Sequence, residues 1–218
     1  MDPYATEQEQ VEAFKRWWQR NGTAIIVGVC IGLGSAYAWR GWQASRQATA
    51  EEAASVYSQL LEYMQNRNPD DAKRNGQDLI ERFPKSAYAT YAAMALARLA
   101  VERKDLSEAA ERLRWALEHA PAAELEPVLR TRLARVLLAA DKAGEAWAVI
   151  DDQQQSGKTA APSAAVLEVK GDILLAQGKR DEARVAYQEA LAGNAEAGGD
   201  DKSPVRVKLD QLDATQRQ

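Results

Sequence analysis

The chain has 218 residues, 46% hydrophobic and 28% charged, with a formal net charge of −4. That balance leaves no basic footprint for nucleic acid. A single cysteine (Cys30) and a single histidine (His119) leave no intramolecular disulfide and no Cys/His metal cluster.

Residues 1–20 open the chain with Glu7, Glu9 and Glu12 set among Lys15, Arg16 and Arg20. Val11, Phe14 and Trp18 fall at helical spacing. Two readings fit: a short interfacial helix leading into a membrane, or the first turn of the helix that follows.

From Asn21 through Trp39 no residue is charged. At 1.5 Å per residue the run spans roughly 28 Å, close to the ~30 Å hydrocarbon core of a bilayer. Trp17, Trp18, Trp39 and Trp42 stand at its two ends, where amphipathic rings favour the headgroup zone. Residues 21–42 are therefore expected to form a single transmembrane anchor. A cleaved signal peptide is the alternative, because Ala36-Tyr37-Ala38 supplies a small-x-small triplet. Against it stand the length of the apolar run, the long acidic lead, and Trp39-Arg40 directly after that triplet. Lys15, Arg16 and Arg20 crowd the amino-terminal edge, whereas Arg40 and Arg46 are diluted by Glu51 and Glu52. The positive-inside bias leaves residues 1–20 in the cytoplasm and the larger domain outside it. Gly28, Gly32 and Ala36 form a row of small residues against which a second helix can pack, either from another copy, giving a homodimer, or from a partner.

Residues 43–200 are self-similar. Ala72, Ala109, Ala146 and Ala183 recur at a spacing of 37, and the small residues Ala97, Ala134 and Gly171 each precede the next alanine by 12. Short polar segments fall between, containing Asn66–Asp71, Glu102–Asp105, Asp141–Gly144 and Gln177–Arg180, with the Gly, Asn, Asp and Pro that end or cap helices. This predicts an all-α array of helical hairpins in which a small residue of one helix lies against the alanine of the next. Ala44–Gln65, without Gly or Pro, is expected to run from the membrane into the first hairpin. After a Gly/Ala/Asp loop at 192–202, Ser203 and Pro204 mark a new helix start, with Val205, Leu209 and Leu212 as its apolar stripe. Residues 201–218 are predicted to be a carboxyl-terminal capping helix and tail.

No GxSxG, HExxH or P-loop occurs. His119 stands in Leu117-Glu-His-Ala-Pro121, where a helix is expected to end and a histidine favours its dipole. The chain is expected to be a binding protein, without catalytic residues, metal or cofactor.

The pattern resembles the tetratricopeptide repeat. The match is best at residues 164–197, where Leu167, Gly171, Leu174, Ala183, Tyr187 and Ala190 occupy the family's positions. It weakens elsewhere: Gly76 replaces the aromatic of the first unit and Gln153 the small residue of the third. The resemblance implies about four units and a concave groove lined by first helices. Carried over, the groove positions are Tyr57, Leu61 and Met64, then Tyr91, Met94, Arg98 and Val101, then Val128, Arg135 and Leu138, then Glu168, Asp172 and Leu175. Each can equally be a core residue facing a neighbouring helix.

The whole arrangement is similar to the ancillary subunits of the bacterial Sec translocon, SecYEG (the YfgM type). It carries the Gln10–Ala13 to Asn21-Gly22 approach, a Gly-rich apolar run ending in Trp39-Arg-Gly-Trp42, the Leu133-Ala-Arg-Val136 segment and about four degenerate units. The resemblance implies an inner-membrane protein with its repeat domain in the periplasm. Its implied partners are the translocon channel subunits, a membrane-anchored periplasmic chaperone of the prolyl-isomerase-like type, and other periplasmic chaperones or exported clients. An envelope-assembly or cell-division scaffold, or a holdase chaperone, would use the same architecture.

Overall fold

The computed structural model describes residues 7–155, 163–196 and 203–216, so residues 1–6 of the expected tail and 197–202 of the expected 192–202 loop lie outside the described residues. Residues 192–196 are helix rather than loop, because the chain there still packs on its neighbour: a Cβ on Gly193 would lie 3.7 Å from Ala164. Two units divide the chain, Met1–Glu52 and Ala53–Gln218. The first is the leading part of helix α1 (Glu7–Gln65). The second takes the end of α1 and then α2 (Pro69–Arg82), α3 (Ala87–Glu102) and α4 (Leu106–His119). A 3-10 turn (Ala123–Leu125) leads into α5 (Glu126–Ala139), followed by α6 (Ala143–Gln155), α7 (Ala164–Ala176), α8 (Arg180–Glu196) and α9 (Pro204–Gln216). There is no strand among the described residues.

The hairpins are made by one turn used four times. Arg67, Lys104, Asp141 and Gly178 have φ of 54°, 63°, 59° and 79°, and they stand 37 residues apart. Each donates its N–H three residues back, to Met64, Val101, Leu138 and Leu175. The next residue donates five back: Asn68 to Tyr63, Asp105 to Ala100, Lys142 to Leu137 and Lys179 to Leu174, each at 2.9 Å. This pair of bonds around a left-handed residue is the Schellman motif, which satisfies the last carbonyls of one helix while reversing the chain. Two of the following helices receive a side-chain cap at once, from Asn68 to the Asp71 N–H and from Asp105 to the Glu108 N–H.

Five residues after each turn comes the repeating alanine. Ala72, Ala109, Ala146 and Ala183 are all fully buried. A methyl group there lets helix axes approach to the short end of the 8–10 Å range, so the larger neighbours interlock around it. α3 packs on α4, α5 on α6 and α7 on α8, while α2–α3, α4–α5 and α6–α7 join successive hairpins. The degenerate positions have their own packing. A Cβ on Gly171 would stand 2.5 Å from the Tyr187 ring, so glycine on α7 makes room for the aromatic of α8. Gly76, where the repeat expects an aromatic, would place a Cβ 2.8 Å from Leu96, which fills that space from α3.

α9 packs on α8. Val205, Leu209 and Leu212 are buried with Leu174, Ala186 and Ala190. Lys208 stands 37 residues after Gly171, so α9 continues the series of first helices. Its outer residues Arg206, Asp210 and Gln211 are exposed, which supplies the polar end a solenoid requires.

Charge also ties the second helices together. The mostly buried Glu108 of α4 meets Lys73 of α2 at 2.8 Å, Arg103 at 3.0 Å and Arg112 at 3.6 Å. The Lys73 hydrogen bond, and then the charges of Lys73, Arg103 and Arg112, outweigh desolvation and hold its carboxyl below the ordinary glutamate value.

Two predictions follow from the turns and from Glu108. Gly178→Ala should cost about 1–2 kcal/mol, since a Cβ in the left-handed region is strained, and Lys104→Gly should cost nothing or stabilise. Urea unfolding of the two variants checks this, and equal effects would contradict the turn assignment. A carboxyl whose folded pKa is depressed adds stability that is complete above its unfolded value near 4.5 and lost as pH falls through the folded value. Glu108→Gln should therefore cost about 1–2 kcal/mol at pH 7 and progressively less below pH 4.5. Melting temperatures of both proteins across that range measure it.

Candidate interaction surfaces

The first-helix residues of the first two hairpins come together. Tyr57 of α1 packs its ring 5.6 Å from Tyr88 and 6.0 Å from Tyr91, both on α3. Burial, and then the neighbouring Tyr91, push the Tyr57 phenol above its ordinary value, so it stays a neutral hydroxyl. Met64 and Met94 are half-buried against the same core. Below the rings lies a cleft of about 670 Å³ lined by Leu61, Met64, Gln65, Arg67, Asn68, Pro69, Arg98, Leu99 and Glu102. The left-handed turn at Arg67 forms one wall, and an Arg98–Glu102 ion pair at 3.0 Å lies on α3. Of the groove positions carried over, Leu61, Met64 and Arg98 line this cleft, while Tyr57 and Tyr91 share a ring contact.

The later hairpins place a different chemistry on their first helices. Leu138 is half-buried against the core, and Arg135 reaches from α5 to Glu168 of α7 at 3.2 Å. Lys208 of α9 bonds Glu168 at 2.7 Å and both oxygens of Asp172 at 2.7 and 2.8 Å. The Tyr187 hydroxyl donates to the same Asp172 at 2.7 Å. Burial first, and that bond next, push the Tyr187 phenol far above its ordinary range. Burial alone would pull Lys208 down, but Asp172 and Glu168 outweigh it and the ammonium is held more firmly. Leu138 packs on the same apolar core as Tyr57 and Met64, whereas Arg135 belongs to an ion-paired region, distinct in chemistry from the tyrosine–methionine region. The sequence offered one signal for it, the 37-residue step from Gly171 to Lys208.

In the first unit every described side chain from Ile26 to Glu52 is exposed. The exposed residues include Ile26, Val27, Val29, Ile31, Leu33, Tyr37, Trp39 and Trp42. No single helix is long and apolar enough by itself to cross a membrane, but the bent pair Phe14–Thr23 and Ile26–Gln65 meets that test together. Gly28 and Gly32 have open space where a Cβ would stand, and Ala36 beside them is exposed. At the far end the rings of Trp39 and Trp42 lie 5.2 Å apart, and the Arg46 guanidinium sits 4.3 Å over Trp42. Among the described residues no group of three His, Cys, Asp or Glu side chains is arranged to hold a metal.

Comparison with known proteins agrees with this architecture. Residues 15–214 match the family model described as a tetratricopeptide repeat-like domain. The Escherichia coli protein named ancillary SecYEG translocon subunit is 30% identical over 88% of this chain and 90% of its own length. The namesakes from Haemophilus influenzae and Aggregatibacter actinomycetemcomitans are 27% and 30% identical, each over 96% of this chain and 99% of theirs. Among solved structures, Pseudomonas aeruginosa PilF aligns with TM-score 0.60 at 22% identity, over 78% of this chain and 71% of that one. BtubC from P. vanneervenii aligns with TM-score 0.53 at 18% identity, over 78% of each chain. These structural likenesses establish the fold alone. By sequence, the chain belongs to the tetratricopeptide repeat-like family of ancillary SecYEG translocon subunits.

Proposed function

We propose that the protein is a single-pass adaptor of the inner membrane that associates with the Sec translocon channel and passes exported polypeptides to periplasmic chaperones. Residues 21–42 are its anchor, residues 1–20 stay in the cytoplasm, and the repeats at 43–200 with their cap at 201–218 work in the periplasm. The observation that carries this reading is an apolar stretch, exposed on all sides, in the same helix that enters the first hairpin. In water each such side chain would forgo about 1.5–3 kcal/mol of burial, whereas a bilayer supplies it. The shared name of the relatives supports the translocon as partner.

The two faces divide the work. The row Gly28, Gly32 and Ala36 admits a second transmembrane helix, from a channel subunit or from another copy. The tyrosine–methionine region and the cleft at Leu61, Met64 and Arg98 suit an apolar segment of a client or of a membrane-anchored prolyl-isomerase-like chaperone. Rigid rings and adaptable thioethers can accept varied side chains there. On the later first helices, Arg135 adds a charge already paired with Glu168, and Leu138 adds apolar surface. The protein acts by binding, without catalysis or cofactor.

Affinity purification from membranes extracted in mild detergent tests this, with mass spectrometry of what is retained. Channel subunits and chaperones should both copurify with the unaltered chain. Gly28→Leu with Gly32→Leu should deplete the channel subunits, and Tyr91→Ala with Met94→Ala should lower chaperone recovery roughly tenfold while sparing the channel. Absence of channel subunits from the unaltered sample, or a repeat domain untouched by protease added outside spheroplasts, would refute the assignment.

A further inference from the structure

Ahead of the anchor, α1 carries a second apolar feature of a different kind. At 100° per residue, Val11, Phe14, Trp17 and Trp18 fall within about a third of the helix circumference, whereas Glu12, Lys15, Arg16, Gln19 and Arg20 fill the remainder. The aromatic residues form one contiguous patch. Phe14 stands 6.0 Å from Trp17 and 6.2 Å from Trp18, ring centre to ring centre. Trp18 lies back along the helix over Gly22, where a Cβ would come within 3.2 Å of the indole nitrogen. All four apolar side chains are exposed, Val11 at 64% and Phe14 at 63%, so no described residue covers them.

Geometry separates this patch from the span. Ten residues are far too few to cross a bilayer. A straight continuation of the anchor would carry Val11 about 10 Å beyond Trp18, out of the headgroup zone and into water. The stretch Phe14–Thr23 is instead inclined by 47° to Ile26–Gln65, so it does not continue the anchor in a straight line. Charge identifies the surface. Glu7 and Glu9 precede residues 11–20 on the same helix. Within residues 11–20, Lys15 flanks the apolar sector, with Arg16 and Arg20 further round, against one carboxylate, Glu12. Their long stems reach phosphates within a Debye length of about 8–10 Å. An amphipathic face of this composition, continuous with an apolar span, fits an anionic lipid interface.

We propose that residues 11–20 form a lipid-docking helix. Val11, Phe14, Trp17 and Trp18 enter the boundary between headgroups and acyl chains, and Lys15, Arg16 and Arg20 hold anionic phospholipid headgroups. The segment sets the depth and tilt at which the anchor sits. This rests on the anchor proposed above, and the test keeps the two apart.

The full chain, with Cys30→Ser, would carry one spin label at a time at Val11→Cys, Glu12→Cys or Val29→Cys. Each is reconstituted in vesicles of phosphatidylcholine alone or with one-third phosphatidylglycerol. Val29→Cys reports the anchor by itself: a label there that meets the aqueous quencher rather than oxygen overturns the anchor. With Val29 in lipid, docking predicts that Val11→Cys favours oxygen while its neighbour Glu12→Cys favours the aqueous quencher, and that phosphatidylglycerol sharpens the contrast. Lys15→Gln, Arg16→Gln and Arg20→Gln together should lower the docked fraction in the anionic vesicles, with the docking equilibrium falling roughly fivefold per cation. Water exposure at both positions in both lipids, or lipid exposure at both, would overturn the proposal and leave the anchor intact.

Discussion

The architecture rests on a constraint repeated every 37 residues: a left-handed turn residue followed, five positions later, by an alanine with no exposed surface. The turn at Arg67, Lys104, Asp141 or Gly178 closes one helix and aims the next. The alanine at 72, 109, 146 or 183 then decides how closely the two can lie. A larger side chain at any of these alanines would overpack a site that has no slack and push a hairpin apart. Because the same offset recurs, successive hairpins stack one on the next, through α2–α3, α4–α5 and α6–α7. Tyr57 meets Tyr91 across α1 and α3, and Arg135 meets Glu168 across α5 and α7, because first helices are neighbours.

Much of this was legible in the chain because it is local or periodic. The alanines are small residues at constant spacing, and the turns carry Asn, Asp, Gly or Pro. Ser203-Pro204 announces α9 in the way helix starts commonly do. What escaped has a common physical cause, since it depends on partners far apart in sequence. Nothing in Arg67 or Lys104 advertises a positive φ; those residues adopt it because the hydrogen bonds of the turn and the packing on either side require it. Gly76 reads as a defect of the repeat until Leu96 is seen filling its space. Lys208 reads as a surface lysine on a terminal helix, yet it binds two carboxylates of α7. The groove positions carried over by family resemblance came as one set, and resemblance did not divide them into an aromatic–thioether region and an ion-paired one.

That division bears on how such a surface is used. In the third and fourth hairpins, Glu168 and Asp172 already have Arg135, Lys208 and the Tyr187 hydroxyl as partners, so a ligand there must compete with satisfied charges. Around Tyr57, Tyr91 and the cleft, half-covered rings and thioethers await apolar contact, and little polar desolvation opposes it. A surface of this kind suits reversible binding. Affinity comes from modest apolar burial over adaptable side chains rather than from buried ion pairs, and a partner of closer fit can take over the segment.

Photocrosslinking in growing cells tests the central claim most directly, that the shared face of the first helices is where partners bind. Benzoylphenylalanine would be introduced as Tyr91→Bpa on α3 and, separately, at the exposed Val185 of α8. The account predicts discrete adducts with periplasmic chaperones or exported chains from position 91 and none from position 185. Adducts from position 185 with position 91 silent would contradict it.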